Sequence, residues 1–274
     1  MQKKVTSFDN TKINYDIKKI SPRFLIFIHG VGGNLTAWKK EREFFHKKGI
    51  STLALDLRGH GLSDRPTKNT DYKIENFAKD IFCVLNKEKI DDFIVIGHCF
   101  GGVVATMFYK LYPNKSQSYI FIATTYKAPE KLSELFQKNY FLTSILNMLM
   151  EREDLRKKHF AHVNYKKYRN TGDWNLKRIY ADIRSTSFKS WLFTFENLAK
   201  FDGVKILKSI NKPVLIIEGE KDSVFPAPVA KKLEKIIKTA KLDLVPNANH
   251  VIVMDKPEEV AIKIYDFLEG KGKL

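Results

Sequence analysis

The sequence predicts an α/β protein in which a mostly parallel, doubly wound sheet carries an inserted helical cap. Short apolar runs of strand length alternate with helical patterns along most of the chain, which is typical of parallel sheets covered by helices. Several of these runs end in glycine-containing turns, where such strands lead into helices. Between residues 126 and 200 the alternation stops, and a long helical pattern rich in aromatic side chains replaces it.

The predicted elements follow one another in a simple order. The chain opens with a β-hairpin over Val5–Ile17. Six further strands are predicted at Phe24–Ile28, Ser51–Leu55, Phe93–Ile96, Tyr119–Ala123, Val214–Ile217 and Leu242–Val245. Helices fill the intervals between them, and the last helix covers Glu258–Leu268. We therefore expect residues 1–125 and 201–274 to form the core domain and residues 126–200 to form the cap.

A cysteine lies at the centre of the most informative motif. A buried-strand pattern ends in a Gly-x-Cys-x-Gly turn that runs from Gly97 to Gly101 and is centred on Cys99. This is the nucleophile-elbow pattern with a thiol in place of the usual serine hydroxyl, and the helical pattern that this motif requires follows it. A structural cysteine in an ordinary glycine-rich turn would show the same five residues, so the interpretation depends on motifs elsewhere in the chain.

A second glycine-rich turn follows the predicted strand Phe24–Ile28 and reads His-Gly-Val-Gly-Gly over residues 29–33. Acyl-transfer sites need backbone N–H groups that point at a developing oxyanion, and a turn of this kind supplies them. A phosphate-binding loop is the alternative interpretation. The turn lacks a Gly-Lys-Ser/Thr sequence and does not match Gly-x-Gly-x-x-Gly, which argues against nucleotide binding.

A carboxylate and a histidine complete the pattern further along the chain. Asp222 lies in the turn after the predicted strand Val214–Ile217, and His250 follows the strand Leu242–Val245. Because the carboxyl ends of parallel strands share one edge of a sheet, we expect Cys99, Asp222 and His250 to meet there. A single aspartate or histidine in a turn is usually only solvated, so the joint occurrence of the three residues carries the argument.

Together these motifs resemble the α/β-hydrolase superfamily, and in particular its capped branch of esterases, lactonases and carbon–carbon bond hydrolases. The resemblance extends over almost the whole chain and includes an Asp-x-Arg-Gly-His-Gly-x-Ser loop. It implies that Cys99 is the nucleophile, Asp222 the acid and His250 the base of a catalytic triad. It also implies that the backbone amides of Val31 and Phe100 form the oxyanion hole.

The thiol departs from the usual pattern of the family. Most relatives carry serine at the elbow, epoxide hydrolases and haloalkane dehalogenases carry aspartate, and dienelactone hydrolases and polyester synthases carry cysteine. Replacement of serine by cysteine at position 99 is an alternative that the sequence leaves open. Because a thiolate is also a good leaving group, the expected substrates are activated: aryl or enol esters, enol lactones and thioesters. Amides and simple alkyl esters should react slowly.

The expected activity is hydrolysis through a covalent acyl-enzyme on Cys99. Transfer of the acyl group to an alcohol or thiol acceptor is one alternative, since a closed cap excludes water. A non-catalytic ligand-binding member of the fold is another, and the presence of Asp222, His250 and the glycine-rich turn argues against it.

The aromatic-rich cap predicts an apolar pocket over the sheet edge, because such lids shape the substrate site. Packing between cap and core is the commoner role for any single aromatic side chain in it. The residues expected to line the pocket are His29, Leu142, Leu146, Trp191, Phe195, Val224 and Val251. The expected partner is therefore a small-molecule acyl substrate with an apolar acyl group.

Composition sets limits on other classes of function. The chain of 274 residues has a formal net charge of +17, from 48 Lys and Arg against 31 Asp and Glu. The lysines are scattered and no nucleic-acid motif accompanies them, so we expect a solvated basic surface without specific nucleic-acid binding. No apolar stretch reaches the length of a membrane span, and no signal-peptide pattern occurs. We therefore expect a cytoplasmic protein with Cys83 and Cys99 reduced.

No cysteine–histidine cluster has the spacing of a zinc site, and no metal or other cofactor is expected. The sequence sets neither the natural substrate nor the oligomeric state.

Overall fold

A mixed sheet of eight strands forms the centre of the protein, which is described here from a computed structural model covering residues 2–153 and 160–270. The strands are β1 Gln2–Thr6, β2 Lys12–Lys18, β3 Phe24–Ile28, β4 Ser51–Leu55, β5 Phe93–His98, β6 Tyr119–Ile122, β7 Val214–Gly219 and β8 Ala240–Val245. Their order across the sheet is β1-β2-β4-β3-β5-β6-β7-β8. β2 pairs antiparallel with β1 and with β4, and the other neighbouring pairs are parallel. The predicted mostly parallel sheet is confirmed.

Helices cover both faces of the sheet, as its continuously apolar strands require. The helices are α1 Lys39–Lys47, α2 Ile74–Glu88, α3 Phe100–Leu111, α4 Glu130–Lys138, α5 Tyr140–Glu151, α6 Leu176–Thr186, α7 Phe188–Leu198, α8 Val204–Lys208, α9 Ala227–Ile236, α10 Ile252–Asp255 and α11 Pro257–Glu269. Short 3-10 helices cover Leu35–Trp38, Asn69–Tyr72 and Tyr165–Tyr168.

Two apolar clusters lie on the opposite faces of the sheet. One packs α2, α3 and α9 against side chains such as Ile26 and Val95, and the other packs α1, α10 and α11 against side chains such as Phe27 and Ile96. Neighbouring residues of one strand thus belong to different clusters, because successive side chains point to opposite faces. This is the doubly wound arrangement that the sequence predicts.

The direction of winding changes between β3 and β5. From β3 the chain passes through α1 to β4 on one side, whereas β5 pairs with the other side of β3. A crevice opens at the carboxyl ends of such a strand pair, and open α/β sheets bind ligands there. The glycine-rich turn at residues 29–33 follows β3 and the elbow at Cys99 follows β5, so both lie at this crevice.

A helical insertion lies between β6 and β7 and contains α4 to α7. Its two ends are joined by backbone hydrogen bonds: the Ala128 N–H donates to the Phe201 carbonyl at 2.8 Å, and the Gly203 N–H donates to the Tyr126 carbonyl at 2.9 Å. These bonds lie close to the predicted cap boundaries at residues 126 and 200, and the division into core and cap stays a prediction. Residues 154–159 of the predicted cap and 271–274 of the predicted core lie outside the described residues.

Candidate active site

Cys99 joins β5 to α3 in a backbone conformation that side chains rarely adopt. Its φ is 52° and its ψ is −118°, and strain of this kind costs about 1–3 kcal/mol. The turn closes because its flanking glycines have no side chains. A Cβ at Gly97 would overlap the Gly101 carbonyl group, and a Cβ at Gly101 would overlap the Ile28 carbonyl group. The turn therefore holds Cys99 at the start of α3, where the helix dipole favours a negative charge.

The structure brings Asp222 and His250 together beside Cys99. Asp222 Oδ2 lies 2.7 Å from His250 Nδ1, and both residues are buried. Asp222 Oδ1 accepts hydrogen bonds from the backbone N–H groups of Val224 and Phe225, each at 2.7 Å. The turn after β7 thus fixes the carboxylate, and the carboxylate orients the imidazole ring. His250 and Cys99 line the same cavity.

Electrostatics favour a protonated His250. Burial opposes the charged ring, but the negative charge of Cys99 and the hydrogen bond with Asp222 outweigh burial and raise the pKa of His250 well above its usual value. Burial also opposes the charge of Asp222, and the hydrogen bond from His250 outweighs it and lowers the pKa of that carboxyl. The carboxylate of Asp222 and the side chain of Cys99 thus both favour a positive charge on the His250 ring.

A second carboxyl group lies near the first and stays neutral. Glu218 is fully buried at the end of β7, and its Oε1 accepts a hydrogen bond from the Gly219 N–H at 2.9 Å. Burial and the neighbouring charge of Asp222 raise the pKa of Glu218 to about 10. The two carboxyl groups thus divide the roles: Asp222 carries the charge that His250 needs, and Glu218 is protonated at neutral pH.

The turn at residues 29–33 is held by its own histidine. His29 Nε2 accepts a hydrogen bond from the Leu57 N–H at 3.0 Å, so Nδ1 carries the proton and donates to the Gly30 carbonyl at 2.8 Å. Burial lowers the pKa of His29 to about 4, which keeps the ring neutral. Among the described residues, the N–H groups of Val31 and Phe100 have no hydrogen-bond acceptor. Both donors are thus available to an oxyanion at this crevice.

An aspartate of the cap holds the loops of both Asp222 and His250. Asp173 Oδ1 accepts a hydrogen bond from the His250 N–H at 2.7 Å. Its Oδ2 accepts from the Ser223 N–H at 3.0 Å and from the Ser223 hydroxyl at 2.7 Å. Sequence reasoning missed this residue, because a single aspartate in an unpatterned loop carries no signal and its partners lie 50 and 77 residues away along the chain.

His98 holds the His250 loop from the elbow. Its Nε2–H donates to the His250 carbonyl at 2.9 Å, which leaves Nδ1 without the proton. Burial, together with the nearby charge of His250, lowers the pKa of His98 to about 3, so this ring is neutral. The backbone of His250 is therefore fixed on one side by Asp173 and on the other by His98.

The charged loop after β4 has a structural role. Asp56 is fully buried, its Oδ1 accepts a hydrogen bond from the Leu35 N–H at 2.8 Å, and its Oδ2 lies 2.7 Å from His162 Nε2. Arg58 forms two hydrogen bonds of 2.7 Å with the buried carboxylate of Asp80. The bond to Leu35 ties the loop to the segment that follows the glycine-rich turn, and the bonds to Asp80 tie it to α2. Neither Asp56 nor Arg58 lines the cavity at Cys99 in the described structure.

The cavity at Cys99 has a volume of about 70 Å³. His29, Val31 and Val251 line it. The sequence predicts His29 and Val251 as pocket residues and Val31 as an oxyanion-hole residue, and these roles stay predictions. The wall of the cavity also contains polar and charged side chains of the cap that the sequence does not predict there, namely Tyr165, Arg178 and Asp182. The lining thus combines apolar and polar groups, and the expected apolar acyl group stays a prediction.

The other predicted pocket residues lie elsewhere. Among the described residues, the lining of the cavity does not include Leu142, Leu146, Trp191, Phe195 or Val224. Leu142 is 64% exposed on α5. Trp191 packs on Phe195 with ring centroids 4.3 Å apart, and Phe195 and Leu146 pack against the core. The physical reason is that helical periodicity identifies an apolar face but not the surface against which that face packs.

Within residues 2–153 and 160–270, no group of three His, Cys, Asp or Glu side chains is arranged to hold a metal ion. In the same two ranges, no helix has the length and apolar character needed to cross a membrane. Cys83 and Cys99 are both free of disulfide bonds.

Several known proteins are similar to this chain in sequence or in structure. The human protein called Protein ABHD8 is 25% identical over 248 residues, which cover 89% of this chain and 54% of that protein, so the chain spans about half the length of this relative. Epoxide hydrolase 3 of Xenopus tropicalis is 23% identical over 265 residues, covering 89% of this chain and 71% of that protein. A solved esterase from Exiguobacterium antarcticum has a TM-score of 0.76 at 17% identity and covers 98% of this chain and 100% of its own, which shows a shared fold.

A family profile that covers most of the chain identifies the family. The sequence profile described as the alpha/beta hydrolase fold matches residues 23–257, which is most of the chain and includes the elbow, the turn of Asp222 and His250. The sheet order, the strained elbow after β5 and the insertion after β6 agree with that match. This chain therefore belongs to the α/β-hydrolase fold family.

Proposed function

We propose that this protein is a thiol-dependent hydrolase that cleaves activated carboxylic esters, thioesters or lactones through a covalent acyl-enzyme on Cys99. The observation that carries the proposal is the arrangement of three side chains. Asp222 lies 2.7 Å from His250, and His250 lines one cavity with Cys99 at the start of α3. The esterase that shares this fold supports chemistry at an ester carbonyl.

In the first half of the reaction, the Cys99 thiolate attacks the carbonyl carbon of the substrate. The N–H groups of Val31 and Phe100 stabilise the oxyanion of the tetrahedral intermediate. His250 then gives its proton to the departing oxygen or sulfur, the bond to the leaving group breaks, and an acyl thioester on Cys99 remains.

In the second half, water attacks the thioester carbonyl. His250, now neutral, takes a proton from the water, and the oxyanion forms again in the same place. Collapse of this intermediate breaks the carbon–sulfur bond, releases the carboxylic acid and restores the thiolate with protonated His250. Asp222 orients the ring and stabilises its charge in both halves.

Sulfur restricts the substrate to activated acyl groups. A thiolate leaves a tetrahedral carbon more readily than an alkoxide, so an intermediate from a simple alkyl ester collapses back to substrate. Aryl esters, enol esters, enol lactones and thioesters have leaving groups that compete with the thiolate. Faster turnover of ethyl esters than of 4-nitrophenyl esters would contradict this part of the proposal.

The test is hydrolysis of 4-nitrophenyl acetate and butyrate, combined with mass measurement of the intact protein. We expect wild type to form an acyl adduct that turns over, Cys99→Ala to form none, and the matched control Cys83→Ser to behave as wild type. A much faster Cys99→Ser variant would indicate a serine-esterase scaffold with a replaced nucleophile. No adduct with any activated ester would overturn the proposal in favour of a binding protein.

The same experiment distinguishes hydrolysis from acyl transfer. With an added alcohol or thiol acceptor, hydrolysis predicts that the free acid stays the main product. A product dominated by the new ester or thioester would assign the protein to the acyltransferases instead, with the same acyl-enzyme on Cys99.

A further inference from the structure

A cationic side chain lies in the wall of the cavity that contains Cys99. Arg178, on α6 of the cap, lines this cavity, and its side chain is only 13% exposed. A pocket for an apolar acyl group gains nothing from a guanidinium, since removal of its charge from water is unfavourable unless polar partners compensate it. The partners of Arg178 decide whether that charge is already compensated.

The hydrogen-bonding capacity of Arg178 is incompletely used. A guanidinium has five N–H donors, and within the described residues only two contacts are present. Nη2 donates to the backbone carbonyl of Asp173, and Nη1 donates to Asp182 Oδ2 at 3.3 Å, which is long for a pair of opposite charges. Nε is buried without an acceptor in the same part of the structure. Donors therefore remain for a further acceptor.

Asp182 compensates the charge of Arg178 only in part. Its Oδ1 also accepts a hydrogen bond from the Tyr165 hydroxyl, at 3.3 Å. Burial raises the pKa of Asp182 to about 7 even though the charge of Arg178 opposes that change. Near neutral pH a large fraction of Asp182 is thus uncharged, and Arg178 is then a cation without a full counter-charge beside the cavity.

The size of the cavity limits what can reach both groups. Cys99 and Arg178 line the same small cavity, of about 70 Å³, so a group that reaches both of them is short. The planar fork of a guanidinium matches the two oxygens of a carboxylate. Those two features together describe a carboxylate a few carbons away from the reacting carbonyl.

We propose that Arg178 binds a carboxylate on the acyl group of the substrate, so that the preferred substrates are half-esters or half-thioesters of short dicarboxylic acids. This rests on the proposed acyl-enzyme on Cys99 and replaces the apolar acyl group expected from the sequence. Arg178 supplies charge-assisted hydrogen bonds to the carboxylate, and the leaving group departs on the other side of the reacting carbon.

The first test compares two esters with the same leaving group, mono-4-nitrophenyl succinate and 4-nitrophenyl butyrate. We expect wild type to have the higher kcat/KM for the succinate ester. In Arg178→Gln, the ratio of the two kcat/KM values should fall about 10- to 100-fold, the usual effect of losing charge-assisted hydrogen bonds. Arg178→Lys should restore part of the ratio, because it keeps the charge without the fork.

The matched control is Arg184→Gln, an exposed arginine on the same helix, which should leave the ratio unchanged. If Arg178→Gln lowers kcat/KM for both esters by the same factor, Arg178 only supports the fold of the cap and the proposal is wrong. A wild-type preference for the butyrate ester would overturn it as well.

A second test does not depend on catalysis and separates failure of this inference from failure of the proposed function. Monomethyl succinate should raise the Tm of Cys99→Ala and should not raise the Tm of Cys99→Ala combined with Arg178→Gln. Methyl butyrate serves as the uncharged control ligand. Equal shifts in both proteins, or no shift in either, would reject the carboxylate site even if acyl-enzyme formation on Cys99 is observed.

Discussion

In the proposed mechanism, the charge on the Cys99 sulfur sets the protonation state of His250. Serine at this position would be neutral at rest, and His250 would have to be neutral to take its proton. With a thiolate, the negative charge of Cys99 and the hydrogen bond with Asp222 outweigh the effect of burial, and the pKa of His250 is raised well above its usual value. In the proposed mechanism, the protonated ring is therefore part of the active form of the enzyme.

The exchange of Cys99 for serine should therefore change how activity depends on pH. In the proposed mechanism, the active pair already contains a protonated His250, whereas in Cys99→Ser protonation of His250 removes the only base. We expect the ratio of wild-type to Cys99→Ser kcat/KM for 4-nitrophenyl acetate to increase as the pH is lowered from about 8 to about 6. Parallel acid limbs in the two pH profiles would show that wild type also depends on a neutral His250.

The raised pKa of Glu218 leads to a prediction about how the stability of the protein depends on pH. Its pKa rises to about 10 in the folded protein because of burial and the charge of Asp222, so the folded state binds a proton that the unfolded state loses above its ordinary pKa of about 4.5. The contribution of Glu218 to stability therefore decreases as pH rises between these two values. Glutamine is uncharged and has nearly the same shape as glutamic acid, so Glu218→Gln should remove this dependence of stability on pH.

We accordingly expect Glu218→Gln to unfold at a higher Tm than wild type, with a difference that grows from about pH 5 to about pH 9. Glu220→Gln is the control, since Glu220 is exposed and should show no growing difference. A Tm difference that is independent of pH would mean that Glu218 is ionised in the folded state.

At the scale of secondary-structure elements, residues of the cap and of the sheet edge together hold the loop of His250. The loop before α6 provides Asp173, which receives hydrogen bonds from the loop of His250 and from the loop of Asp222, while His98 at the end of β5 donates to the His250 carbonyl. Two loops that belong to the core are thus held by a residue of the cap. Movement of the cap would be transmitted to the position of the imidazole.

Loss of the hydrogen bonds to Asp173 should lower kcat more than it weakens substrate binding. In Asp173→Ala, we expect kcat for 4-nitrophenyl acetate to fall about 10- to 100-fold, because displacement of His250 by a fraction of an ångström misaligns proton transfer. KM should change much less, since the carboxylate of Asp173 faces the two loops. Measurement of kcat and KM separately, together with Tm, checks this.

Trp174→Phe is the control for Asp173→Ala. The Trp174 indole donates to the Ser223 hydroxyl at 2.9 Å, so this variant perturbs the Asp222 loop without touching the bond to His250. We expect its kcat to stay within about threefold of wild type, as for other exposed single hydrogen bonds. Equal losses in both variants would show that Asp173 acts through general cap stability alone.

At the scale of the whole molecule, parallel strands collect residues that are far apart in sequence. Cys99 follows β5, Asp222 follows β7 and His250 follows β8, and these three strand ends lie at one edge of the sheet. The order β4-β3-β5 also places the glycine-rich turn after β3 directly beside the elbow. The site is thus a consequence of strand direction and strand order.

Much of the fold and of the candidate site was predictable from the sequence, because the interactions that determine them are local. An elbow needs glycines at fixed positions around its nucleophile, so the pattern around Cys99 is readable without a structure, and the strained φ of 52° agrees with it. Continuous apolar strands likewise identify a sheet buried on both faces. Strand limits differed by a few residues: the predicted strand Leu242–Val245 begins at Ala240, and Val214–Ile217 extends to Gly219.

The sequence by itself determined the fold class, the order of the main elements and the candidate residues Cys99, Asp222 and His250, because each of these follows from a pattern of neighbours along the chain. Only the tertiary structure decided which cap residues reach the cavity. Leu142 is exposed, whereas Arg178 and Asp182 line the wall at Cys99, and Asp173 holds His250 from 77 residues away. Such contacts depend on how α5 and α6 rotate and pack against the sheet edge, and helical periodicity alone does not contain that information.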